Sequence, residues 1–138
     1  MATLTIEQGL EYYLTHYAGL IALISTRTYL NRIPQGTVIP CLTFQRISTP
    51  RVLSHDTSGM TGTAYPRFHF DSWAISYASA KAINDQVRAA LNGYKGTITV
   101  GADSVVLQAS LVNDERHNPD LDAGLHRLSS DYIIWHLE

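Results

Sequence analysis

Six histidines, a single cysteine and a run of acidic residues are the side chains of this 138-residue chain with the most chemistry to offer. The histidines, His16, His55, His69, His117, His126 and His136, are scattered, and no two stand at the i, i+4 spacing that sets paired metal ligands on one helix face. His69 and Asp71 share one face of a predicted strand, as do Ser129 and Asp131, so the two pairs could meet across a sheet. Polar surface pairing is the plainer reading of such a meeting. Cys41 is the only cysteine, and alone it forms neither an internal disulfide nor a cysteine-rich zinc site. Its neighbours Ile39, Pro40 and Leu42 are apolar and offer no basic group to lower a thiol pKa, which points to a small buried side chain rather than a nucleophile.

Asp114, Glu115, Asp120 and Asp122 are near enough in sequence for two carboxylates to converge on a cleft, or for a calcium loop. The alternating oxygen ligands and closing Glu of a calcium loop are missing, and Arg116, His117, Asn118, Pro119 and Gly124 make the stretch a solvated loop. Gly93, Gly96 and Gly101 lack the strand-to-helix setting that gives a phosphate-binding loop its meaning. The residues therefore imply no catalytic group, no metal site and no cofactor.

The elements around these residues follow from periodicity. Ile6, Leu10, Tyr13, Leu14 and Tyr17 fall on one helical face, with Thr5 and Gln8 as a capping box, and Leu20, Leu23 and Ile24 suggest a further helical turn. Strands are predicted over 41–48 and 67–74, where Leu42 and Phe44, then Phe68 and Phe70, alternate with polar residues. Between them, residues 49–65 are rich in Ser, Thr and Gly, a long loop of the kind that is either functional or an ordinary hairpin tip. The clearest helix spans about 76–92, with Ala80, Ile83, Val87, Ala90 and Leu91 as its apolar stripe and Gly93 as terminator. Strands over 97–100, 104–112 and 126–137 follow, with a charged loop over 113–124. The last strand is apolar on both faces near its end, as a central strand would be. The fold class is α+β: a largely antiparallel sheet packed by two main helices, in one domain over 1–138.

Composition agrees with a single hydrophobic core and names no partner. Hydrophobic residues make up 45% of the chain and charged residues 16%, and a formal charge of −2 supplies no basic field for nucleic acid. The longest apolar stretch, 17–24, is far shorter than the roughly twenty residues of a membrane span, and no basic secretory leader opens the chain. The expectation is a protein made in a reducing cytoplasm, with no membrane partner.

The opening helix, the Arg27-Thr28-Tyr29 step, Ile39-Pro40-Cys41-Leu42 and Phe68 to Ala74 running into Ser76-Tyr77 form an ordered set of features. Ala90-Leu91-Asn92-Gly93 and the closing Tyr132-Ile133-Ile134-Trp135 complete it, over nearly the whole chain. This order resembles the tail-completion or tail-terminator family of long-tailed phages and prophages; Cys41 departs from the aromatic or aliphatic residue expected there. The resemblance implies a structural protein rather than an enzyme, a ring of copies of itself, typically a hexamer, at the head-proximal end of the virion tail. It implies the tail tube protein and a head-completion or connector protein as partners, DNA passing through the lumen without specific binding, and assembly in a bacterial host cytoplasm. A ring needs two complementary patches per subunit. Residues 49–65 and 113–124 are the candidate contacts, with Arg51, His55, Asp56, Met60, Arg116, Asp120 and Asp122 as interface residues. Another connector or tube subunit, and a small-molecule-binding domain with a cleft of Tyr, Trp and His, are the alternatives.

Overall fold

The computed structural model describes residues 4–31, 36, 38–52, 63–117 and 124–137. Its organising feature is one long bent hairpin. Strand β2 (Cys41–Ser48) pairs antiparallel with β5 (Arg67–Ala74), and short β3 (Arg51–Val52) pairs with β4 (Thr63–Ala64). After a bulge at Arg46/Ser48 the register carries on unbroken, Ser48 opposite Arg67 and Arg51 opposite Ala64. Pro50 and Pro66 interrupt the two arms because proline has no N–H to give to the ladder. The chain still bridges the gap, with the Tyr65 N–H donating to the Pro50 carbonyl at 3.0 Å.

Strand β8 (His126–Leu137) runs the full length of the second arm, pairing with both β5 and β4. On its other side lies β7 (Asp103–His117), which makes a hairpin with β6 (Gly96–Val100). Strand β1 (Thr28–Leu30) adds to β2 as the one parallel pair among the described residues. β8 is therefore central, as its two apolar faces predict. Two bulges in β7, at Leu107/Ala109 and Val112/Asp114, shift its register against β8 and re-aim its side chains.

Helices cover one face of this sheet. α1 (Ile6–Thr15) starts at the expected capping box, Thr5 with Gln8, an arrangement worth about 1 kcal/mol. α2 (Ala18–Ile24) follows, and α3 (Tyr77–Leu91) is capped by Ser76 and ends in Gly93 at φ +80°, the left-handed position glycine reaches without a Cβ clash. Leu10, Leu14, Leu20, Ile24, Ile83, Val87 and Leu91 meet Leu42, Phe44, Phe68, Phe70, Leu107, Tyr132 and Ile134 in the core. Gly9 lets α1 lie close on β7, since a Cβ there would stand 2.7 Å from Val105 Cγ1. The edge strands β1 and β6 both reach α1, so the sheet curls around the helices.

Three expectations need correction. The sheet, eight strands among the described residues, dominates the fold, and α2 is a third helix of seven residues rather than a single turn. Residues 113–117 are not loop: they extend β7, held by pairing with β8 despite poor intrinsic strand formers. The stretch 49–65 is not wholly loop either, because its ends form β3 and β4.

Candidate assembly surface

On the face away from the helices, alternate residues of β5 and β8 come together in register. Asp71 lies opposite Ser129, and His69 opposite Asp131, the meeting that strand parity anticipates. Ser129 Oγ donates to Asp71 Oδ1 at 2.6 Å. His69 Nε2 lies 2.9 Å from Asp71 Oδ1, and Nδ1 lies 2.7 Å from Asp131 Oδ1. Both ring nitrogens face carboxylate oxygens, and a ring nitrogen that carries a proton donates to the carboxylate it faces. The Arg67 guanidinium donates to Asp131 Oδ2 at 2.7 Å, and Arg116, delivered by β7, reaches the same oxygen at 3.5 Å while pairing with Asp114.

The Asp131 side chain is only 3% exposed, beneath partners that are 42% exposed in the case of both arginines. Burial alone would raise its pKa, but the hydrogen bonds from His69 and Arg67 and the charge of Arg116 outweigh burial and hold the carboxyl below its usual value. The result is a buried anion that pins β5, β7 and β8 together.

On one side of this charged centre, Trp73 donates its indole N–H to Thr43 Oγ1 at 3.0 Å and carries Arg127 over its ring at 5.3 Å. On the other side the surface turns apolar. Tyr65 stacks on Trp135 at 4.3 Å, Ile133 is half-buried, and Ile47, Leu111 and Leu137 are exposed. Leu111 is 53% exposed because the bulge at Leu107/Ala109 inverts the alternation that buries Val105 and Leu107. Among the described residues no helix covers this surface.

The other candidates for chemistry are structural. Cys41 is fully buried, and burial pushes its thiol up to about 11 although Arg27 pulls the other way, so the thiolate is scarce at neutral pH. A cleft between α1 and β6 is lined by Tyr12, Tyr13, His16, Tyr17 and Tyr94. Its rings are engaged with one another: Tyr13 lies 4.5 Å from Tyr94 and 6.1 Å from Tyr17, and Tyr12 stacks on His16 at 4.0 Å. The Tyr13 hydroxyl donates to the Ala90 carbonyl, tying α1 to α3, and burial pushes its pKa up to about 12.

Of the predicted interface residues, Arg51 on β3 and Arg116 on β7 are described; His55, Asp56, Met60, Asp120 and Asp122 lie outside the described residues. The structure does not bring the two arginines together. Arg51 is linked through Ala64 to His136, whereas Arg116 lies opposite Ser129, seven residues away on β8 and roughly 23 Å at strand rise. Sequence reasoning missed Arg67 as a partner of Asp131 and the apolar patch around Trp135. Arg67 was visible as a residue of the His69 parity; the exposure of Leu111 depends on a bulge that leaves no mark in the pattern.

No helix among the described residues is long and apolar enough to cross a membrane. No curated relative matches the chain. A solved chain from a structure described as the virion of a native gene transfer agent particle shares the fold, with a TM-score of 0.66 and 17% identity, covering 96% of this chain and 95% of that one. The family model of tail completion protein gp17 matches residues 13–137. That match takes in every strand, α2, α3 and part of α1, and the chain belongs to the tail completion protein gp17 family.

Proposed function

We propose that this chain is a structural, non-enzymatic virion protein that closes into a ring, a hexamer by the family resemblance, on the head-proximal end of a phage tail tube. The ring ends tube polymerisation and offers its other side to a head-completion or connector protein, while DNA passes through its lumen. The observation that carries this reading is family membership over most of the chain. The likeness in fold to a chain of a virion particle agrees with it.

The geometry is compatible with such a ring. Head-to-tail closure requires two different patches on each subunit. The strands leading into 53–62 leave the sheet at the Leu137 end of β8, and those leading into 118–123 leave it at the His126 end. The described strand ends β3/β4 and β7/β8 thus lie at opposite ends of β8, and the reading assigns one set of contacts to each. The helix-free face between them adds an apolar area around Leu111 and Trp135, set beside a rigid charged centre. Arg51, His55, Asp56 and Met60 belong to the first set of contacts, and Arg116, Asp120 and Asp122 to the second. Deleting residues 56–62 tests the assignment: tail tubes supplied with this variant should grow beyond their normal length. Normal capping by the variant would refute a contact role for that stretch.

A further inference from the structure

His117 and His126 stand at the ends of β7 and β8, on either side of residues 118–123. His117 Nε2 and His126 Nδ1 are 3.2 Å apart, and the two rings are within 13° of parallel. Tyr77, the first residue of α3, sets its ring edge against His117 at 4.8 Å and limits how that ring turns. Two imidazole nitrogens bound to one tetrahedral ion at ~2.0–2.1 Å stand about 3.3 Å from each other. The nitrogen–nitrogen separation, now bridged by a ring hydrogen bond, matches the bite of a chelate, and an ion would replace that bond. His117 is exposed and His126 half-buried, so an ion has access from solvent.

We propose that His117 and His126 form a bidentate site for a borderline first-row divalent cation such as Zn2+. Imidazole donors select Zn2+, Ni2+ and Cu2+ over Mg2+ and Ca2+, which take oxygen ligands. Among the described residues no third His, Cys, Asp or Glu completes a cluster with them, so the remaining positions are open to water or to a side chain of a neighbouring copy. The site is therefore exchangeable, unlike a closed structural zinc site. The ion adds a further bridge between the ends of two strands already joined by sheet pairing and by the His117–His126 contact, and stabilises the fold in proportion to its occupancy. The partial positive charge at the start of α3 opposes a cation here, but weakly at this exposure.

Zn2+ titrated into the untagged full chain, followed by calorimetry and by the imidazole resonances in NMR, tests the site. One equivalent should bind and shift the signals of His117 and His126 first, the thermal midpoint should rise, and chelation by EDTA should reverse both. His117→Ala and His126→Ala should each lose the one-equivalent event while keeping the far-UV spectrum, and His16→Ala should retain it. Absence of that event in the wild type, or its survival in the double variant, overturns the proposal.

Discussion

Replacing Asp131 by Asn should lower the stability of the folded chain by about 2 kcal/mol. The largest loss is the bond from His69 Nδ1 at 2.7 Å, a part-buried, charge-assisted contact worth roughly 1.5–3 kcal/mol. Arg67 and Arg116 regain water when released because each is 42% exposed, and each adds at most about 0.5 kcal/mol. Asn keeps one acceptor oxygen and so recovers part of one bond. At this chain length the change corresponds to a fall of roughly 6–10 °C in Tm. Acid provides an independent arm. The carboxyl of Asp131 is depressed in the folded state, so the unfolded chain takes up its proton first. The stabilisation is complete above about pH 4 and is lost as pH falls through the lower folded value. Urea denaturation at about pH 7 and at about pH 2 should therefore give a large wild-type advantage at the first and a small one at the second. A loss under about 0.5 kcal/mol at neutral pH, or a difference that does not shrink on acidification, refutes the pinning role of Asp131.

Leu111→Arg, on the exposed apolar area, should change monomer stability by no more than about 0.5 kcal/mol while abolishing ring formation on tubes; normal rings would remove the helix-free face from the interface. Gly93→Ala, at φ +80°, should cost about 1 kcal/mol in urea denaturation, and an unchanged midpoint would contradict the left-handed terminator of α3. Cys41 should resist a thiol reagent at about pH 8 in the native protein and react fully in denaturant. Rapid labelling of the folded chain would show that the strand opens.

Much of the fold was legible because its signals are local. Alternation around Phe68 and Phe70, the stripe from Ala80 to Leu91 and the capping box at Thr5 each dictate an element within a few residues of the observed one. Parity even placed His69 and Asp71 on the side where Ser129 and Asp131 arrive, since antiparallel partners share a face. What escaped depends on tertiary pairing. The polar run Asn113 to His117 becomes strand only because β8 lies beside it, and β3 and β4 are two-residue continuations across prolines. The bulge of β7 at Leu107/Ala109 turns Leu111 outward and so creates the apolar area that a strict period of two would have hidden. The convergence of two arginines from different strands on one buried carboxylate requires a register that no single segment encodes.

The ring is the central claim, and electron microscopy of negatively stained tail tubes incubated with the purified chain tests it most directly. Tubes capped at one end by a single closed ring, and no longer growing when more tube subunit is added, are the predicted result. Tubes that keep growing with bare ends, or a chain that polymerises by itself into open filaments, would contradict it.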